Sequence, residues 1–182
     1  AKTGAAFIHP YNDAGIISGQ GTVALELFEQ VSDLDVIIAP VGGGGLLSGI
    51  AIAAKALNPA IRIIGAEPAG ADDAFQSKRA GKLIPQTSPN TIADGLLTSL
   101  GDLTWPVIRD LVDEIVVVDD RQIAHAMKLM MERAKLLIEP SGATSYAAAV
   151  KMDFEAEHTR VACVISGGNI NLSRISELMA TC

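Results

Sequence analysis

The sequence is poor in aromatic residues, in cysteine, in positive charge and in long apolar runs. Four Phe, two Tyr and one Trp make up 4% of 182 residues, while small aliphatic side chains and glycine dominate. Such a composition suits helices packed closely on a parallel sheet better than two sheets packed face to face. Two cysteines, Cys163 and Cys182, form neither a disulfide framework nor a metal-ligand spacing, so a reducing, cytoplasmic setting is expected. Fourteen Lys and Arg against 21 Asp and Glu leave a net charge of −7, a surface that repels nucleic-acid backbones and anionic lipid. Apolar runs such as residues 36–40 are far too short to span a bilayer, and no charged-then-apolar leader is read at the start.

What the sequence does contain is a core. With 49% apolar and 19% charged residues, disorder is excluded and residues 1–182 are expected to form one α/β domain. Nearly continuous apolar runs at 5–8, 36–41, 62–66, 115–118 and 161–165 read as strands buried on both faces. Helical periodicity fills 22–31, 46–57, 73–81, 105–111, 121–136 and 143–152, with Asp120 placed to cap 121–136 and Ser141 to cap the next helix. Strand alternating with helix implies right-handed crossovers and an open, mostly parallel sheet flanked by helices. In such sheets ligands sit beyond the carboxyl ends of the strands, where two glycine-rich loops fall.

The first is Gly42, Gly43, Gly44 and Gly45, between a strand and the helix that begins near Leu46. Backbone N–H groups at a helix N-terminus, with no Cβ in the way, make an anion site, most often for phosphate. A Walker loop would need Lys-Ser or Lys-Thr where Leu46-Leu47 stands, so nucleotide hydrolysis is set aside. A dinucleotide fingerprint stays open, because Gly43-x-Gly45-x-x-Ser48 approximates it and Glu67 ends the next strand where a ribose-binding acid belongs. The second loop is Ser166-Gly167-Gly168-Asn169. A cofactor with a phosphate at one end and a polar ring at the other would use both loops.

Pro-Val-Gly-Gly-Gly-Gly-Leu at 40–46, Gly-Gln-Gly-Thr at 19–22, Thr-Ile-Ala-Asp-Gly at 91–95, Glu-Pro-Ser-Gly-Ala at 139–143 and Ser-Gly-Gly-Asn at 166–169 occur in one order. Together they resemble the fold-type II pyridoxal-phosphate enzymes, within them the serine racemase and serine/threonine dehydratase group. Ala66-Glu67-Pro68, Ala71-Asp72-Asp73 and Leu103-Thr104-Trp105-Pro106 resemble the eukaryotic-type serine racemase branch. The likeness covers essentially the whole chain. It implies the large-domain portion of a tryptophan-synthase-β-like fold, with residues Gly42, Gly43, Gly44, Gly45 and Leu46 cradling the phosphate of pyridoxal 5'-phosphate. It also implies that Ser166 bonds the pyridine nitrogen, and that Asp94-Gly95 lies near the ring.

Glu67, Ala71 and Asp73 offer two carboxylates and a carbonyl, a donor set for a hard cation such as Mg²⁺ or Ca²⁺. From the residues alone, the competing reading is that Asp72 or Asp73 caps a helix while Glu67 is solvated. The resemblance implies the metal. It further implies a homodimer, an amino-acid substrate, and a nucleotide effector near Lys135 and Asn169. His9, His125 and His158 share no spacing with the carboxylates, and Met127, Met130 and Met131 read as core.

The resembling enzymes need a Schiff-base lysine that also moves the substrate's α-proton. None of Lys2, Lys55, Lys78, Lys82, Lys128, Lys135 and Lys151 has its sequence context, so no catalytic residue is expected in this chain. The chain opens at Ala1-Lys2-Thr3-Gly4 without methionine, and a C-terminal piece of a longer enzyme is expected. The expected activity of that enzyme is racemisation of serine or elimination from serine or threonine. A 3-hydroxyaspartate ammonia-lyase and a non-catalytic NAD- or nucleotide-binding α/β module are the alternatives.

Overall fold

The computed structural model describes residues 3–154 and 159–179; Lys2, His158 and Cys182, named above, lie outside the described residues. The chain runs α1 (Ala14–Gln20), α2 (Thr22–Gln30), β1 (Val36–Pro40), α3 (Gly45–Leu57), β2 (Arg62–Pro68), α4 (Asp73–Ala80) and α5 (Thr104–Leu111). It continues through β3 (Glu114–Val118), α6 (Asp120–Leu129), α7 (Pro140–Lys151), β4 (Val161–Cys163) and α8 (Leu172–Met179). The four strands form one parallel sheet in the order β3-β2-β1-β4, as the alternation of strand and helix predicts. Val36 stands opposite both Arg62 and Val161, and Ile64 opposite Glu114.

Period-two alternation sorts the β1 and β2 side chains between two cores. Ile37, Ala39 and Ile63 pack with Leu47, Ile50 and Ile108 of α3 and α5. Val36, Ile38, Ile64 and Ala66 pack with Ile123, Met127, Ala143 and Ala147 of α6 and α7. Met127 is buried, and Met130 and Met131 pack against that second core, as expected of core methionines. No helix among the described residues is long and apolar enough to cross a membrane.

Several sequence expectations need correction. Residues 5–8 form no strand: Phe7 is 85% exposed and Ile8 64%, and the run pairs with none of the four strands among the described residues. The helix expected over 121–136 ends its α-helical part at Leu129, passes through a wider π turn at Met130–Ala134, and stops where Lys135 turns left-handed at φ 60°. Its cap is Asp119, which accepts from the Gln122 N–H while the Gln122 side chain accepts from the Asp119 N–H, a reciprocal capping box. Asp120 instead accepts from the Thr91 hydroxyl and the Ile92 N–H, tying down the loop before Asp94. Ser141 lies inside α7, whose cap position is Glu139.

One polar device crosses between helices. The Lys78 ammonium, on α4, donates to the carbonyls of Ile108, Arg109 and Val112 at the end of α5, and burial pulls its pKa below the ordinary lysine value. Those carbonyls have no intrahelical partner, so a cation there supplies hydrogen bonds and meets the negative end of the dipole. Lys78→Met is expected to lower stability by about 1–3 kcal/mol. Urea unfolding checks this, and an unchanged midpoint would mean that water satisfies those carbonyls equally well.

Candidate functional site

Three carboxyl ends of the sheet converge on the residues singled out in the sequence. β1 ends at Pro40, and the chain crosses Val41 into the glycine run before α3 starts. Gly44 takes the cap position at φ 87°, a left-handed conformation that suits glycine, and it offers no side-chain cap. The other glycines have packing reasons. A Cβ at Gly42 would meet the Leu96 Cα at 3.0 Å, one at Gly43 the Tyr11 ring at 2.3 Å, and one at Gly45 the Tyr11 Cα at 2.9 Å. The run is therefore closed in by neighbours on several sides, which a simple tight turn does not require. The first N–H groups of α3 stand without a side-chain partner at the positive end of a 13-residue helix.

The second loop is held by the sheet and by α7. The Val164 N–H donates to the Ile38 carbonyl, and the Ser145 hydroxyl donates to the Val164 carbonyl. Beyond them, the Glu139 N–H donates to the Gly167 carbonyl while the Glu139 carboxylate accepts from the Asn169 N–H at 2.8 Å. Ser166 lies between these anchors, with its hydroxyl bonded to no described residue. A cavity of about 410 Å³ is lined by residues 42–46, by Ser166 and by Tyr11, Gly95, Glu139 and Ser141 among others. The fold thus joins the two loops that lie 120 positions apart, and its volume is of the size that small ligands occupy. Asp94 is exposed and pairs with Arg174 of α8 at 3.7 Å, while its neighbour Gly95 lines the cavity and donates to the Ser141 hydroxyl.

A phosphate with a polar ring fits this donor set. Backbone N–H groups gather at one loop, a free hydroxyl at the other, and no acidic side chain stands on the glycine run. None of the described lysines lines the cavity: Lys55 pairs with Asp113, Lys78 caps α5, Lys151 donates to the Val117 carbonyl and Lys135 to the Glu132 carbonyl. Lys135 and Asn169 are not hydrogen-bonded to each other.

The acid cluster sits at the end of β2. Glu67 is fully buried rather than solvated, and it caps α4 from the strand: its two oxygens accept from the Ala74 and Phe75 N–H groups, each at 2.8 Å. Even so, burial dominates those favourable bonds and pushes its pKa up to about 8. Asp73 accepts from the Leu100 N–H through one oxygen, and burial raises it to about 6. Its other oxygen, Oδ1, is the one buried side-chain polar atom among the described residues without a hydrogen-bond partner. Two buried acids and an orphaned oxygen are what a cation would satisfy. Ala71 is buried in the short turn between β2 and α4. No cluster of three or more His, Cys, Asp or Glu that could hold a metal is found among the described residues.

Among the described residues, His9, His125 and Cys163 do not line the cavity. His9 accepts from the Asn12 N–H at 3.0 Å, His125 is exposed on α6, and burial pushes the Cys163 thiol up to about 11. Sequence reasoning missed Tyr11, which packs on the glycine run from an irregular segment. The sequence signal was an aromatic residue, rare in this chain, set between Pro10 and Asn12-Asp13.

Comparison with known proteins bears on both loops. A family profile described as "Pyridoxal-phosphate dependent enzyme" matches residues 1–167. The serine racemase of Oryza sativa subsp. indica is 55% identical over 181 residues, covering 97% of this chain and 53% of its own length. The β-hydroxyaspartate dehydratase of Paracoccus denitrificans (strain Pd 1222) is 45% identical over 175 residues, covering 96% of this chain and 56% of its own. The structure of maize serine racemase superposes with a TM-score of 0.91 at 55% identity, covering 98% of this chain and 56% of that one. The chain spans about half the length of the curated relatives it matches.

Proposed function

Because the chain belongs to the pyridoxal-phosphate-dependent enzyme family, we propose that it is the cofactor-binding portion of a serine racemase or L-serine (threonine) ammonia-lyase. The observation that carries the reading is the single cavity lined by both the glycine run and Ser166. The N–H groups of Gly42, Gly43, Gly44, Gly45 and Leu46 hold the phosphate, aided by the positive end of α3. The Ser166 hydroxyl bonds the ring nitrogen. As a neutral partner it leaves that nitrogen without a proton, so less electron density drains into the ring and loss of a β-hydroxyl is favoured. Pyridoxal phosphate, when bound, supplies the electron sink for chemistry at the substrate's α-carbon.

Glu67, Ala71 and Asp73 hold Mg²⁺ or Ca²⁺ in this reading, supported by the unpartnered Asp73 Oδ1 and the two buried carboxyls. A cation there ties the end of β2 to the start of α4 and, through Asp73, to the loop at Leu100. The proton-moving lysine belongs to a longer polypeptide, which acts as a homodimer in the cytoplasm with a nucleotide effector near Lys135 and Asn169. A 3-hydroxyaspartate ammonia-lyase is the second reading, favoured by the 45% identity to the β-hydroxyaspartate dehydratase. A non-catalytic NAD- or nucleotide-binding module has no comparable support.

The test is binding to this chain, followed by the absorbance and fluorescence of the cofactor. Pyridoxal phosphate is expected to bind and to be displaced by inorganic phosphate. Pyridoxal, which lacks the phosphate, is expected to bind at least about tenfold more weakly. Serine turnover by this chain alone is expected to be undetectable. Equal affinity for pyridoxal and its phosphate would remove the glycine run from the site, and pyruvate formation from serine would overturn the absence of a catalytic base.

A further inference from the structure

We propose that Tyr11 is a specificity-determining residue of the glycine-loop cavity, admitting a compact phosphate monoester and excluding a diphosphate diester. The inference rests on the reading of that cavity as a phosphate site. A dinucleotide loop works by leaving its glycines uncovered: the second must let the pyrophosphate approach the backbone, and the third must let the helix pack on the strand. In this chain Gly43 and Gly45 stand at the first two of those positions and Ser48 at the third.

Both glycines are covered by one residue. A Cβ at Gly43 would lie 2.3–2.4 Å from three carbons of the Tyr11 ring, so the ring lies against that residue. A Cβ at Gly45 would lie 2.9 Å from the Tyr11 Cα and Cβ and 3.0 Å from its carbonyl oxygen. The space on the Cβ side of both glycines is therefore filled by protein, and a ligand can reach the run only from its N–H side, which suits a compact phosphate better than a pyrophosphate crossing the loop. Ser48, for its part, is fully buried, and its hydroxyl reaches toward the Thr104 carbonyl at 3.5 Å. Tyr11 itself lines the cavity beside the glycine run, so the wall it makes is the wall a ligand meets.

Nor is Tyr11 loosely placed. The His9 ring meets it edge-on with centroids 4.6 Å apart, and the His9 side chain accepts from the Asn12 N–H. Asn12 accepts from the Leu103 N–H and donates to Asp102, while Asp13 caps α1 through the Gly15 and Ile16 N–H groups. The residues on both sides of Tyr11 are thus fixed, one to the ring itself and the others to α1 and to the start of α5. A ring held in this way excludes by shape, as a packed wall does, and does not swing aside for a larger ligand.

The experiment measures direct binding of inorganic phosphate and of NAD by calorimetry, and their displacement of pyridoxal phosphate, with the wild-type chain and with Tyr11→Phe, Tyr11→Leu and Tyr11→Ala. Inorganic phosphate is expected to compete in all four. NAD is expected not to compete in the wild type or in Tyr11→Phe, which keeps the ring. In Tyr11→Ala its apparent affinity relative to phosphate is expected to rise at least about tenfold, the scale on which an apolar wall discriminates. Tyr11→Leu, which removes the flat ring but keeps an apolar cover, gives an intermediate rise and replaces the alanine variant if that one does not fold. NAD competing with the wild type as well as phosphate does, or an unchanged ratio in the folded variants, would overturn the proposal. If the wild type binds inorganic phosphate and excludes NAD yet ignores pyridoxal phosphate, the cofactor reading falls and the role of Tyr11 stands. If it binds no phosphate at all, both fall.

Discussion

Gly44→Val is expected to be the most damaging single substitution in the glycine run, abolishing pyridoxal phosphate binding and lowering stability by about 2–5 kcal/mol. Two effects add. At φ 87° any L-residue is strained, and a β-branched one most of all. The new Cβ would also lie 2.8 Å from Leu100 Cδ2 and 3.0 Å from both Cβ and Oγ1 of Thr104. Thr104 cannot retreat freely, because its hydroxyl donates to the Gly43 carbonyl at 2.8 Å and accepts from the Gly101 N–H at 2.8 Å. Moving it turns the Gly43 peptide, and with it the N–H groups proposed to hold the phosphate. Gly81→Ala is the control: Gly81 is also left-handed, at φ 66°, but nothing lies within 4 Å of its added Cβ. That variant is expected to cost about 1 kcal/mol and to leave binding untouched. Denaturant unfolding and cofactor titration of both variants check the pair. A Gly44→Val chain that melts and binds like Gly81→Ala would remove the loop from the site.

The second large effect concerns the acids at the end of β2. Glu67 and Asp73 are raised by burial to about 8 and about 6, above the ordinary carboxyl range. For an acid raised in the folded state, the folded chain binds more protons than the unfolded one between the two pKa values, so stability falls as pH rises through that window. Chelated protein is therefore expected to be most stable near pH 4 to 5 and to weaken progressively up to about pH 8, where the loss levels off. On the proposed reading, a divalent cation is expected to take the place of the missing protons. Mg²⁺ or Ca²⁺ at a hundredfold excess over its dissociation constant is expected to raise stability by about 2.7 kcal/mol at pH 8, or roughly 5–10 °C in Tm. At pH 5 the rise is expected to be small, because protons compete for the same oxygens. Asp73→Asn keeps the acceptor for the Leu100 N–H and is expected to lose most of the cation response. Thermal melts with and without chelator at the two pH values decide the matter. A cation effect equal at both, or a chelated chain that gains stability with pH across the window, would defeat the cation reading.

How far the sequence revealed all this depends on whether a feature is local. The parallel sheet follows from apolar runs whose partners are buried on both sides, and those runs are contiguous. The two loops stand out because glycine is a local signal, and the rule that ligands sit at the carboxyl ends of strands puts them together. The failures are non-local. Residues 5–8 are apolar enough for a strand, but a strand needs a neighbour, and among the described residues the run stays exposed and unpaired. Helix α1 escaped notice because Gly15 and Gly19 weaken its propensity, and its stability comes from packing against α3 and from the Asp13 cap. Helix α8 is the local exception: Leu172, Ile175 and Leu178 recur at helical spacing, a pattern legible in the sequence itself. Glu67 capping α4 from the end of a strand, and Tyr11 lying across Gly43, depend on how segments meet, which spacing does not encode.

The strand order also has a consequence for the making of the protein. β1, β2 and β3 add to the sheet outward in the order of synthesis, whereas β4 returns to the open side of β1, pairing Val161 with Val36 across more than a hundred residues. The flank of β1 beside the glycine run must therefore wait, unpaired, while most of the chain is still being made. Contacts of such long sequence separation form late and slowly. The glycine-run side of the cavity closes once the loop through Leu96 and Thr104 has packed on it, but its Ser166 side exists only after β4 has docked. A growing chain thus completes the glycine-run wall of the cavity before the Ser166 wall, and whatever occupies the first wall does so while the second is still being built.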